Sequence, residues 1–88
     1  MLPSVVEFRA ALGLRLTLIR LHAGDQVLSQ EHIGRLIGAS QSQYSRWENG
    51  DRWPDPRSMV ILCQMFQVTL GFLYSGSLAG VLDSVQAR

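Results

Sequence analysis

Between Leu28 and Gly50 apolar residues recur at helical spacing in two runs, each only about two turns long. Helices shorter than roughly 12–15 residues are marginal in water, so each run must gain its stability by packing on the other and on a third element. Ser29 precedes the first run and Ser40 the second, and a hydroxyl there satisfies the unpaired amide N–H groups of a helix start. Gly38 and Ala39 separate the runs, with Gly38 at a sharp turn of the kind that commonly needs a positive φ, and the Asn49–Gly50 pair ends the second run. Counted from Gln30, the inward places are the fourth, eighth, tenth, fifteenth and eighteenth, held by Ile33, Ile37, Ala39, Tyr44 and Trp47. Gly34 stands at the fifth, where the absence of a Cβ lets the helix of the second run cross that of the first run closely.

The remaining pattern is helical too. Ser4 followed by Glu7 makes a capping-box signature, and a long first helix runs to Gly24 as its C′ residue, with Gly13 as a tolerated weak point. At about 100° per residue, Val5, Phe8, Leu12, Leu16, Ile19 and Ala23 share one face, while Leu14, Leu18 and Leu21 gather on nearly the opposite one. The first face serves the core and the second needs a separate partner. Asp55 as N-cap and Pro56 at the first helical position open a fourth helix through SMVILCQMF, and Thr69 caps a short fifth, LGFLY. After Gly76, Leu78, Val81, Leu82 and Val85 follow at i, i+3, i+4 and i+7, a candidate sixth helix. No strand-like alternation interrupts this order. The expectation is an all-α domain of five helices over residues 1–76, followed by an amphipathic tail over 77–88.

Composition narrows the function classes. Eighty-eight residues with 47% apolar content form one domain with a modest core, and we expect neither a second catalytic unit nor a small-molecule sensor. The longest apolar region, LGLRLTLIRL, is interrupted by Arg15 and Arg20 well short of the roughly 18 residues of a membrane span. The start, MLPSVVEFRAAL, lacks the basic residues of a signal peptide, so the expected compartment is the cytoplasm. Cys63 is the only cysteine, and His22 and His32 are irregularly spaced surface candidates, so neither a disulfide nor a metal or other cofactor is expected. There is no nucleophile elbow, P-loop or zinc-protease motif, and Asp51 and Asp55 are explained by turn-making, so an enzyme is not expected. The net charge is only +1, although all eight basic residues are Arg. A composition bias explains the missing Lys better than phosphate binding does, so the all-Arg count adds little.

The spacing from Ser29 to Asn49 is that of a helix-turn-helix. Its residues LSQEHIGRLIGAS, then SRWENG, then Pro54 and the MVILCQMFQVTLGFLY segment resemble the lambda-repressor and Cro-type family, also called the xenobiotic-response-element family, over about Ile19 to Gly76. The resemblance implies a five-helix globule and operator binding by two-fold dimers. Two features depart from it: the loop HAGDQV is about three residues longer than usual, and Gly34 stands where the family commonly has Ala.

With Tyr44 and Trp47 inward, Gln41, Ser42, Ser45 and Arg46 face outward on the half of the third helix that enters a major groove, where Gln pairs with adenine and Arg with guanine. A merely solvated polar face is the bland reading of the same residues. The family pattern matches Gln30 to a residue that holds a phosphate and braces the first reading glutamine, and it pairs Glu48 with an arginine of the first helix, here Arg20. Arg52, Arg57, Ser40 and Asn49 are the further phosphate candidates, with Asp51 and Asp55 opposing. Trp53 is either a lid over the core beside Pro54, the favoured reading, or a flat surface against sugar and phosphate. The partner expected is double-stranded DNA, with a repressor's role and no small-molecule ligand. A homodimer is expected through Leu70, Phe72, Leu73, Leu78, Val81, Leu82 and Val85, joined by Leu14, Leu18 and Leu21. In the alternative, the tail folds back on its own chain. The rival function is a protein-interaction module on the same fold, an antitoxin or adaptor.

Overall fold

Each helix of the computed structural model, which describes residues 3–78, begins at a small polar cap. Helix α1 spans Val5–His22, α2 Gln30–Ile37, α3 Gln41–Glu48, α4 Pro56–Phe66 and α5 Leu70–Ser75, with no strand among the described residues. The side chains of Ser4, Ser29, Ser40, Asp55 and Thr69 each accept the backbone N–H three residues on, at 2.9–3.1 Å. No helix among the described residues is long and apolar enough to cross a membrane.

The helix ends divide by backbone sign. Gly38 (φ 82°) and Gly76 (φ 76°) close α2 and α5 in the left-handed conformation that glycine adopts without steric cost. Helix α4 ends in the same conformation on Gln67 (φ 55°), which the sequence did not signal. Helix α1 ends differently from expectation: Ala23 caps it in the right-handed region, and Gly24 is not among the glycines with positive φ.

The core gathers Leu12, Leu16 and Ile19 of α1, Ile33 and Ile37 of α2, Tyr44 and Trp47 of α3, Met59, Leu62 and Phe66 of α4, and Leu73 of α5. This corrects three expectations. Val5 and Ala23 lie at the ends of the α1 stripe, past the elements that pack on it, and both are exposed. Leu73 is completely buried, because α5 contacts both α1 and α4, so it is a core residue and no dimer surface. Phe72 is half-buried against that core, while Leu70 and Leu78 are exposed. Val81, Leu82 and Val85, with the candidate sixth helix, lie outside the described residues. On the other side of α1, Leu14 and Leu18 are exposed and Leu21 is half-buried.

Gly13 is no weak point. A Cβ there would meet the carbonyl oxygens of Glu48 and, at 2.7 Å, of Trp47, so the glycine is what lets α1 cross the end of α3. Gly34 makes a second close approach: a Cβ would lie 2.7 Å from the Ala39 carbonyl, in a turn where Ala39 N–H donates to Gly34 O at 2.8 Å. Alanine at this position would press on that turn.

Candidate nucleic-acid interface

Helix α3 is fixed from below before anything is asked of its outer side. Tyr44 and Trp47 are buried and meet edge to face, with ring centroids 5.7 Å apart. Burial pushes the Tyr44 phenol well above its ordinary range, and the neighbouring Glu48 carboxylate adds to that rise. At the end of the helix Glu48 turns inward. Its side chain is only 4% exposed, and Arg20 Nε donates to its Oε2 at 2.6 Å. Oε1 accepts from Arg20 Nη2 and Gln30 Nε2, each at 3.0 Å, and the Thr17 hydroxyl lies 3.1 Å from it. That hydroxyl is also 3.0 Å from the Gly13 carbonyl, so its single proton serves one acceptor at a time.

Burial alone would raise the Glu48 carboxyl, but the donors from Arg20 and Gln30 outweigh it and hold the group below its usual range. Reciprocally, the Glu48 hydrogen bond raises Arg20 against the opposing effect of burial. Arg20 also donates from Nη1 to the Leu28 carbonyl at 2.9 Å. The lengthened loop before α2 is therefore tied back at its far end, and Arg20 keeps its reach to Glu48. One carboxylate thus joins α1, α2 and α3.

The expected Gln30 role changes in this arrangement. The residue is half-buried, and its amide nitrogen is directed at Glu48, not at Gln41. The bond to Glu48 uses one N–H of the amide, and the second N–H is the only group of this side chain that can donate to a phosphate, because the amide oxygen only accepts.

The outer side of α3 is different. Gln41, Ser42 and Arg46 are exposed, and Ser45 is half-buried. Gln41 and Arg46 make no side-chain hydrogen bond among the described residues, and Ser42 touches only the Ser40 hydroxyl, at 3.2 Å. Gln43 is also exposed but has work in the fold: its Oε1 accepts the Ser40 N–H at 2.9 Å while its own N–H donates to Ser40, a reciprocal capping box. Ser40 is therefore satisfied within the protein. The Asn49 backbone N–H likewise donates to Ser45 O at 2.9 Å, leaving its exposed side chain as its available donor.

Beside α3 lies an open cleft lined by Gln43, Arg46, Trp47, Arg52, Trp53 and Asp55. Two arginines converge on it. The Asp55 carboxylate is occupied as the α4 cap, with Oδ1 accepting the Ser58 hydroxyl at 2.7 Å and Oδ2 its N–H, and these bonds hold its pKa below the usual value. Pro54 is buried, but Trp53 is not the expected lid: it is 45% exposed. Its ring packs on α1 instead, 5.7 Å from the Phe8 ring and with the Arg9 guanidinium 5.9 Å from its centroid. Arg57 reaches the other way, donating from Nη1 to the Ile37 carbonyl at 3.0 Å.

Four features escaped the sequence reading: the Gly13 crossing, Thr17 at Glu48, the Gln43 box and the Arg57 brace. Only Gln43 carried a local signal, the Ser-x-x-Gln spacing of a capping box. His22 and His32 are exposed, and no group of metal-ligating side chains occurs among the described residues.

A family model described as helix-turn-helix matches residues 26–73, more than half of the chain. Among curated proteins and among solved structures, no match to the chain was found.

Proposed function

The chain belongs to the lambda-repressor/Cro-like helix-turn-helix family of DNA-binding regulators, and from that premise we propose that it is a sequence-specific repressor that reads operator DNA in the major groove with α3. The observation that carries this reading is the outer side of α3, where Gln41, Ser42 and Arg46 are presented on a helix clamped from behind and have little or no role in holding the fold. An amide can pair with adenine and a guanidinium with guanine, each pair giving about 1–3 kcal/mol of discrimination, while Ser42 and the half-buried Ser45 are permissive contacts. Phosphates are assigned to Arg52, Arg57 and the Asn49 side chain, with smaller parts for Ser40 and Gln30, whose groups are already partnered within the protein. A domain lying in the groove excludes other proteins from the same DNA, which is repression in its simplest form. Its place of action is the cytoplasm, where such DNA is reached.

One small domain makes few base contacts, so we assign a homodimer with half-sites about one turn, roughly 34 Å, apart. Of its expected surface, Leu70 and Leu78 remain as exposed apolar candidates, with the exposed Leu14 and Leu18 of α1. The same α1 face is what favours the second reading, a protein-interaction module in which DNA binding is secondary.

Selection from a pool of random duplexes separates the two. The full chain should enrich one sequence with two related halves, and its affinity should fall steeply with salt. Enrichment of no sequence, with weak binding to every duplex alike, would leave the interaction module as the better reading.

A further inference from the structure

Arg57 does something a surface phosphate contact has no need to do. It is the second residue of α4, yet its guanidinium reaches back to α2, where Nη1 donates to the carbonyl of Ile37, the last residue of that helix. That carbonyl is one of the acceptors a helix end leaves unpaired, at the negative end of the helix dipole. A Cβ built on Gly38 would lie 3.7 Å from the same nitrogen, so the guanidinium rests against the turn itself. The turn leads within two residues to Ser40, the cap of α3. Arg57 as a whole is nonetheless exposed, so one edge of its planar fork is on the protein while the rest meets solvent. Arg52 differs, being exposed with no side-chain hydrogen bond among the described residues.

We infer that Arg57 is a positioning residue that couples the DNA backbone to the helix-turn-helix turn, with one edge of its guanidinium held by the Ile37 carbonyl and the other taking a phosphate oxygen. The inference rests on the DNA-reading function proposed above and adds a division of labour among its arginines. The Ile37 bond fixes the plane of the fork before DNA arrives, so the phosphate meets a donor set already oriented. Because that plane is fixed relative to the turn, a phosphate held there also sets how the N-terminal end of α3 lies in the groove. Arg57 therefore contributes to discrimination between sequences without touching a base. A contact that supplies charge alone weakens all sequences equally.

The test uses the full chain, a duplex selected by the wild-type protein and a random duplex, each titrated across a range of salt. Arg57→Ala should lower the salt slope by about one, the signature of one lost phosphate contact. It should also shrink the ratio of selected to random affinity on the order of tenfold, the scale of one lost hydrogen bond to a charged group. Arg57→Lys should keep the salt slope and still lose the ratio, because an ammonium point charge cannot hold the carbonyl and the phosphate in one fixed plane. A wild-type ratio in Arg57→Lys would make the residue a plain charge and overturn the inference. An unchanged salt slope in Arg57→Ala would make it a brace with no DNA contact and overturn it equally. If the wild-type protein selects no sequence, the DNA-reading function fails and the inference with it, whereas a clear selection combined with either contrary variant sinks the inference alone.

Discussion

The two sides of α3 share eight residues and are held to opposite standards. On the inner side Tyr44 and Trp47 are buried, and Glu48 receives donors from α1 and α2, so each group has a fixed partner or a packed neighbour. On the outer side Gln41 and Arg46 have no partner among the described residues. A protein stable by only about 5–15 kcal/mol gains little from a polar side chain that touches nothing, yet loses little either. The outer residues are thus free to be chosen for a ligand, while the inner ones hold the platform at a fixed angle. Substitutions on the inner side should therefore change stability first, and those on the outer side should change binding alone.

The largest effect is expected at Glu48. Glu48→Ala leaves the Arg20 guanidinium, only 14% exposed, without its carboxylate, and breaking such a buried pair should cost about 3 kcal/mol of stability in a urea titration. The sign with pH follows from the depressed carboxyl. A folded-state pKa below the ordinary 4.5 means that the native state binds fewer protons than the unfolded one in that window. The contribution of the pair is then complete above about pH 4.5 and is lost as pH falls through the lower folded value. The stability gap between wild type and Glu48→Gln should narrow over the same acid range. A gap that stays constant down to pH 2 would show that the charge on Glu48 does not carry the effect.

Next is the crossing under α3. Gly13→Ala forces a Cβ against the Trp47 and Glu48 carbonyls, and overpacking there should cost about 1–3 kcal/mol. Gly24→Ala is the control. Its Cβ would meet nothing nearer than the Gln26 carbonyl at 3.6 Å, so that variant should melt within a few degrees of wild type. Equal melts for the two variants would remove the close approach of α1 to α3.

What could be read along the chain, and what could not, follows from where each partner lies. The caps at Ser29, Ser40, Asp55 and Thr69 were legible because each bonds an amide three residues away. The inward set Ile33, Ile37, Tyr44 and Trp47 was legible because helical spacing fixes which residues share a side. The role of Gly13 is hidden in the sequence because what it accommodates belongs to α3, far along the chain. The brace made by Arg57 is hidden in the sequence because its partner is a main-chain carbonyl, which every residue carries and no side-chain pattern reveals. The burial of Leu73 is not legible because a helix of six residues is too short for spacing alone to say which side is covered. Within the candidate interface, the outward placement of Gln41, Ser42 and Arg46 is visible from register, whereas the turn of Gln30 toward Glu48 depends on how three helices meet.

The smallest effect on stability, and the sharpest on function, belongs to Arg46. Arg46→Ala should leave the melting midpoint nearly unchanged, since a surface substitution away from structural contacts usually stays within about 0.5 kcal/mol. The decisive measurement is its binding beside that of Arg52→Ala, each on a selected and on a random duplex at one salt concentration. Arg46→Ala should lose about 1–3 kcal/mol on the selected duplex and much less on the random one, with relaxed preference at one base pair, while Arg52→Ala should weaken both duplexes alike. Equal losses on the two duplexes for Arg46→Ala would contradict the claim that the outer side of α3 reads bases.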